Sequence, residues 1–424
     1  MLTAPRMPNI GPFRREMWRS PLRGPWLASL LSAALLPLVL VCAVTGFLSH
    51  AAYQTHLGHN AVFGGPRPGN GFDIYGWSWP TSPAWLYAAT QGAHVIAGLA
   101  AIPLLLAKLW AVIPKLWENP PFRSFSHAVE RLSLGLLVGS SLFVIGTGVL
   151  NIQIWYPFRF SFVPAHYYAA IVFVAALALH LAVKLPVVWR AFRLNGVLRP
   201  LREDLAHTRP EPDLPGIETS VPVAPREPTM TRRGLLATVG GASLGLAVMG
   251  AGQVVGGPFR RLALLAPRGR GDFPVNKTFA AVGIDRSRVG PRWRLTLSVD
   301  GERRARLTRE RLLAMEQVSA RLPIACVEGW STTQHWTGVR LSDLARLAGA
   351  PDAEQVEVRS LQPRGPFRRA TLNRGQLHAP GSLLALKANG HDLSLDHGYP
   401  ARVIVPALPG VHNTKWVREL AFTA

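Results

Sequence analysis

Five apolar blocks followed by a run of short strands and turns predict a multi-domain chain: a four-helix transmembrane bundle, a fifth transmembrane helix and a mixed α+β domain. Three observations carry this reading. Each block is long enough to cross a bilayer as a helix. Lys and Arg gather on one side of the first four blocks, as membrane topology requires. From Phe273 onward the long apolar runs give way to short strand-and-turn patterns.

The N-terminal segment 1–25 is basic and Pro-rich, and the apolar run behind it is too long for the core of a cleavable signal, so none is expected. The membrane unit spans 26–190. Its first block, Trp26 to Leu48, is closed by His50, and a loop rich in Gly, Pro and aromatic residues runs from Ala51 to Pro83. Pro83 suits the first turn of the second block, Ala84 to Ile113, which contains His94. A basic turn with Lys115, Pro120, Pro121 and Arg123 leads to the third block, His127 to Ile152. Pro164 opens the fourth, which runs to Val188 and carries His166 and His180.

Arg6, Arg14, Arg15, Arg19 and Arg23 precede the first helix, Lys108, Lys115 and Arg123 lie between the second and third, and Lys184, Arg190 and Arg193 follow the fourth. The opposite loops hold only Arg67 and Arg159. The positive-inside rule puts both ends of the four-helix unit in the cytoplasm of a multi-pass cell-membrane protein. Residues 191–233, with Pro200, Pro210, Pro212, Pro215, Pro222, Pro225 and Pro228, read as a cytoplasmic, largely unfolded linker. The fifth helix, 234–256, then delivers 257–424 to the outside. Thr231-Arg232-Arg233 ahead of it reads either as topology anchors or as an internal twin-arginine export signal.

The chain of 424 residues carries a formal charge of +22. Such a balance often marks nucleic-acid binding, but here 48% of the residues are hydrophobic and fall in long blocks, so the charge reports topology and a lipid partner, not nucleic acid. Two cysteines, with Cys42 inside an apolar block, exclude a disulfide framework.

The other cysteine, Cys326, follows the apolar run Leu322-Pro323-Ile324-Ala325, which reads as a buried strand. A polar loop with Trp330, Gln334, His335 and Trp336 is expected after it, then a helix from Leu341. A thiol so placed suits a soft metal, and the plainer reading is a small buried apolar residue. Strands are also expected at Arg292–Leu297, Gln355–Val358 and Ala401–Val405, with a helix at Thr308–Met315.

The run CVEGWS followed by W-x-G-V-x-L-x-D resembles the molybdopterin domain of the sulfite-oxidase family, most closely its bacterial methionine-sulfoxide-reductase-like branch. Leu383 to Trp416, LLALKANGHDLSLDHGYPARVIVPALPGVHNTKW, is similar to a second block of that family. The resemblance implies that Cys326 is the single protein ligand to molybdenum and the catalytic residue. It assigns His397 and Arg402 to the pterin phosphate, Lys415 to the same surface, and Asn276 and Lys277 to the first pterin contacts. An Arg fork and a Lys point charge suit a phosphate on physical grounds too. Glu328, Gly329 and Trp330 stand where sulfite oxidases carry basic residues, which favours a neutral substrate such as a sulfoxide. The family's separate dimerisation domain is not expected after Trp416.

Ionisable residues inside membrane helices are costly and mark function. His166 and His180 lie fourteen residues apart, close to four turns, so they share a face about 21 Å apart along the axis. That spacing fits two stacked haems in a bundle. The unit resembles the di-haem cytochrome b subunits of formate dehydrogenases and hydrogenases, with His94, His166 and His180 at matching places; His50 departs from the pattern by lying at the outer end of its helix. His50 with His166 and His94 with His180 is one pairing; His94 with His166 and His127 with His180 is the other. His56 and His59, in the loop, are not expected to be ligands.

The sequence thus reads as a membrane-bound molybdopterin-dependent oxidoreductase with two b-type haems. It would pass electrons between the quinone pool and an extracytoplasmic molybdenum centre that transfers oxygen to or from a small molecule. Reduction of a sulfoxide-like substrate is the first reading, and oxidation with electrons delivered to quinone the second. A non-catalytic receptor with a degenerate pterin fold is the rival from another class.

Overall fold

The computed structural model describes residues 10–60, 77–118, 124–212, 221–268 and 271–424; Arg6, Arg67, Pro120, Pro121, Arg123 and Pro215 lie outside them. Among the described residues, five helices are long and apolar enough to cross a membrane: α1 (Pro25–Ala51), α2 (Leu86–Leu116), α3 (Phe125–Ile152), α4 (Phe162–Asn195) and α5 (Arg232–Val255). Helix α4 outruns its apolar block because Arg190 and Arg193 extend it, basic groups being favoured at a helix C-terminus, and Gly196 ends it with φ +69°. The chain forms two compact units. One is Met1–Ala43, Ile96–Asn151 and Tyr156–Val248; the other is Val44–Val95, Ile152–Trp155 and Met249–Ala424.

In the first unit, the linker expected to be unfolded is folded over its described part. The Glu211 carboxylate accepts from the backbone N–H groups of Trp26 (2.6 Å) and Leu27 (3.2 Å), capping the N-terminus of α1 with a negative charge. Gly24 has no Cβ because one would lie 2.3 Å from that carboxyl carbon. Arg232 is buried and donates to Glu203 Oε2 (2.7 Å) and to Arg209 O (2.7 Å), with Glu211 Oε1 at 3.8 Å. Proline content hid this because the partners lie far apart in sequence. Within the apolar helices, Arg131 closes the end of α2 by donating to Lys115 O and Leu116 O (2.8 and 2.7 Å), and Lys184 on α4 pairs with Glu130 on α3 at 2.6 Å.

In the second unit, ten strands and short helices follow α5. The strands are β1 (Leu295–Val299), β2 (Glu302–Leu307), β3 (Val318–Ala325), β4 (Ser331–Arg340), β5 (Gln355–Ser360), β6 (Arg369–Asn373), β7 (Leu383–Ala388), β8 (His391–Asp392), β9 (Arg402–Ile404) and β10 (Val417–Thr423). One sheet runs β2-β1-β10-β5-β6, with β1 and β10 parallel; the other runs β3-β4-β7-β8, with β9 added to β7. Asp300 (φ +50°) and Gly301 (φ +87°) make the tight hairpin between β1 and β2.

The loop expected after Cys326 is instead strand β4, so Gln334, His335 and Trp336 are strand residues. Ser331–Gly338 pairs residue for residue with β3, Leu322 opposite Gln334, and Gln334 and Trp336 are buried while Thr333 and His335 are exposed. Its polar residues alternate with the pleat, a pattern easily read as a loop when the partner strand is unknown. The helix expected from Leu341 spans Leu341–Leu347.

Removing the Glu211 cap leaves two buried N–H groups without an acceptor and weakens the partnering of Arg232. Glu211→Ala is expected to destabilise the protein by about 2–4 kcal/mol, with Glu211→Gln milder. Thermal unfolding of the detergent-purified variants checks this; an unchanged melting temperature removes Glu211 as the cap.

Candidate active site

The site lies in the second unit, where Cys326 follows the last residue of β3. The turn after it is fixed by two backbone bonds, Cys326 N to Trp330 O (2.8 Å) and Gly329 N to Cys326 O (3.0 Å). Gly329 sits at φ +90°, and a Cβ there would lie 3.2 Å from Val95 on α2 and 3.7 Å from Gln253 on α5. Gln253 also donates to Glu328 O (3.0 Å), so the ends of α2 and α5 hold the thiol's turn. Cys326 is 3% exposed, among Trp330, Trp336, Ile324 and Ile404. Burial, with a smaller push from Glu328, holds its thiol well above the ordinary range. A coordinated soft metal would displace that proton.

The five residues assigned to the pterin come together. Lys415 Nζ donates to Asn276 Oδ1 (3.1 Å), Asp396 O (3.0 Å) and Lys277 O. Arg402 donates from Nη1 to His397 O (3.3 Å) and from Nε to Asn413 O (3.2 Å), and its guanidinium lies 5.6 Å from the Trp336 ring centre. His397 stacks on Phe273 at 3.6 Å and donates from Nε2 to its carbonyl (3.1 Å), while Nδ1 meets Ser394 Oγ at 2.8 Å. Both ring nitrogens of His397 are thereby engaged, so it orders its neighbours. Lys277 Nζ reaches Gln362 Oε1 at 3.4 Å.

Arg402 (5% exposed) and Lys415 (7% exposed) make no ion pair with a carboxylate among the described residues. Burial pulls Arg402 down to about 9; burial, then the charge of Arg402, pulls Lys415 down to about 6. Both feel the Cys326 thiol electrostatically. An anionic phosphate would satisfy both cations. Among the described residues no three His, Cys, Asp or Glu side chains are placed to hold a metal ion. These residues fit a molybdopterin.

The structure adds residues the sequence did not single out. Arg268 approaches Glu328 at 3.5 Å and faces Cys326, and Glu328 accepts from Trp330 Nε1 at 3.0 Å. The loop at Leu408–Thr414 lies along the end of β3, with Gly410 N donating to Ala325 O (2.8 Å). It brings in His412, which donates from Nε2 to Tyr53 O (3.1 Å). His412 stood inside the second family-like block, but nothing in that block marked it. Arg268 carried no local signal.

The histidines of the apolar helices are placed as follows. In the second unit His50 is buried and stacks on Tyr53 at 6.2 Å, and the His94 ring lies against Gly46 of α1, 2.8 Å from where a Cβ would sit. In the first unit His166 Nδ1 meets Thr147 Oγ1 at 3.0 Å, and His180 lies in the field of Lys108, Lys184 and Glu130. His59 pairs with Glu357 at 2.8 Å and meets Arg369 at 3.1 Å.

A sheet domain with a buried thiol just after a strand, beside two buried cations that make no ion pair among the described residues, fits a molybdopterin-binding oxidoreductase domain. Residues 283–424 match the family model described as oxidoreductase molybdopterin binding domain. The uncharacterized oxidoreductase YuiH of Bacillus subtilis is 32% identical over 118 residues, covering 28% of this chain and 58% of that protein. Sulfite oxidase of Gallus gallus is 34% identical over 101 residues, 22% of each chain. Nitrate reductase of Volvox carteri is 36% identical over 104 residues, 22% of this chain and 12% of the relative. The matches span less than two thirds of each of these three relatives. The C-terminal domain is a molybdopterin-binding oxidoreductase domain of the kind found in sulfite oxidases.

The pKa shift of Lys415 has a defined sign. Its folded value of about 6 lies below its ordinary 10.5, so between those values the unfolded state binds the extra proton and stability rises with pH. Cofactor-free protein is expected to gain melting temperature as pH rises from about 6, and Lys415→Met to flatten that rise. Melting curves across pH, with and without cofactor, check it; identical slopes in wild type and variant reject the assignment.

Proposed function

We propose that this protein is a membrane-bound reductase that removes oxygen from a small neutral oxide of the sulfoxide kind outside the membrane, drawing electrons from quinol through two b-type haems. The observation that carries the reading is the buried Cys326 beside Arg402 and Lys415. In this reading Cys326 ligates molybdenum, and Arg402 and Lys415 hold the pterin phosphate. Asn276, Lys277 and His397 position that end of the site. When bound, the molybdenum–pterin group supplies two-electron oxygen-atom transfer, and haem supplies one-electron relay. The net reaction consumes the oxide, two electrons and two protons, and yields the reduced product and water.

The neutral substrate is supported by Arg268, whose charge is met by Glu328 and is not available to an anion beside Cys326. His50, His94, His166 and His180 are the proposed haem ligands. Support for His166 comes from Thr147: its hydroxyl donates to Phe143 O (2.8 Å), so its lone pair accepts from His166 Nδ1–H. That assigns the tautomer whose Nε2 lone pair can bind iron. Positive-inside charge supports a cytoplasmic N-terminus and an extracytoplasmic C-terminal domain.

Cys326→Ser replaces a soft ligand by a harder one and is expected to abolish turnover while molybdopterin and haem contents stay unchanged. Metal analysis, haem spectra and assay of the purified variant check this, with Cys42→Ser as control. Normal oxygen transfer in Cys326→Ser would reduce the thiol to core filling and end the proposal.

His166→Ala is expected to lose at least one haem. Thr147→Val should keep haem but raise a midpoint potential, because an imidazole without its acceptor is the weaker base and stabilises ferric iron less. Redox titration of both variants decides it; full haem content in His166→Ala removes that residue as a ligand.

A further inference from the structure

Among the polar side chains of the second unit that are more than nine-tenths buried, Gln54, Tyr87, His412 and Asn413 carry atoms with no hydrogen-bond partner among the described residues. Burying such atoms without partners costs desolvation free energy that nothing in the protein returns. Tyr87 and the loop of His412 lie near the Cys326 thiol, and Gln54 adjoins them through Tyr53. The Tyr87 hydroxyl, at the start of α2, faces Tyr53 and Cys326. His412 lies in the loop bonded to Ala325, directly before Cys326, and its Nε2–H is taken by Tyr53 O. Its Nδ1 is therefore an acceptor, buried and unpartnered. Gln54, next in the chain to Tyr53, is 1% exposed, holds a left-handed φ of +51°, and has both amide atoms unpartnered.

We propose that Gln54, Tyr87 and His412 form a pocket beside Cys326 that receives a small neutral oxide, so that the ends of two apolar helices set the substrate class of the molybdopterin domain. The proposal rests on the oxygen-transfer reading above and gives its site. The three groups offer two donors, the phenol O–H and the amide N–H, and two acceptors, the amide oxygen and His412 Nδ1. None of the three is a cation. The neighbouring cations have other partners: Arg268 is paired with Glu328, and Arg402 serves the pterin phosphate in the reading above. A dipolar S–O or N–O group can be hydrogen-bonded there, whereas an oxyanion would enter without a counter-charge.

The test uses the full chain purified in detergent with its cofactors, and the variants Tyr87→Phe and Gln54→Met, which keep side-chain volume. With reduced viologen as electron donor, dimethyl sulfoxide is the neutral probe and chlorate the anionic one. Both variants are expected to raise the KM for dimethyl sulfoxide about tenfold or more with kcat little changed. Dimethyl sulfone, a neutral relative of the oxide, should perturb the thiolate-to-molybdenum absorption of the resting enzyme, with affinity weakened about tenfold in the variants. Melting temperature and molybdenum content should hold or rise, because an unsatisfied buried polar atom has been removed. An unchanged KM and sulfone affinity, or a fall in melting temperature that accounts for the lost activity, overturns the pocket. Molybdenum-loaded wild type that reduces chlorate but not dimethyl sulfoxide also overturns it, while leaving the oxygen-transfer reading intact. Reduction of neither probe by the loaded protein rejects both.

Discussion

Arg402 and Lys415 are buried cations whose hydrogen bonds among the described residues go to backbone carbonyls and an amide, with aromatic faces beside them, and the second unit is arranged about that imbalance. Carbonyl dipoles orient a buried cation without neutralising it, and its ionisation falls accordingly. Cys326 is incomplete in the complementary way, since burial leaves it protonated until a metal replaces the proton. A cofactor with a phosphate at one end and a soft metal at the other completes both. In the proposed reading one protein ligand suffices, because the phosphate end would fix the cofactor's position independently of the metal bond.

The position of the thiol depends on more than the sheet that carries it. Gly329 makes the turn in a conformation that side chains rarely adopt, and Val95 and Gln253 occupy the space a side chain would need. Trp79 donates to Ala407 O (2.8 Å) and Ala407 N donates to Ala84 O (3.2 Å), so the segment before α2 also fastens the loop carrying His412. Helix ends that would otherwise serve only as anchors are thus structural parts of the site.

How much of this could be read in the sequence follows from how local each signal is. The five helices were legible because length and hydropathy are properties of contiguous residues, and the burial of Cys326 because a short apolar run precedes it. Strand β4 was not, because Ser331–Arg340 is polar in composition and becomes a strand only against β3. The fold of the linker rests on Glu211, whose partners lie about 185 residues away. Tyr87 and Gln54 were invisible for a further reason. A tyrosine or glutamine near the end of an apolar helix looks like an ordinary interfacial residue, and only burial without a partner sets these two apart.

Two histidines show how a proton's position can assign chemistry. At His166, Thr147 donates its own hydrogen to Phe143 O and can accept the Nδ1 proton, which in the proposed reading leaves the basic nitrogen for haem iron. At His412 the carbonyl of Tyr53, which can only accept, takes the Nε2 proton and turns the basic nitrogen toward the pocket beside Cys326. Burial, opposed only weakly by that carbonyl, pulls His412 down to about 4 and keeps it neutral at ordinary pH. A protonated imidazole there would add a cation and invite anions; a neutral one offers a lone pair to a hydrogen-bond donor. The neighbouring hydrogen-bond acceptors, more than the histidines themselves, therefore decide what each ring can do.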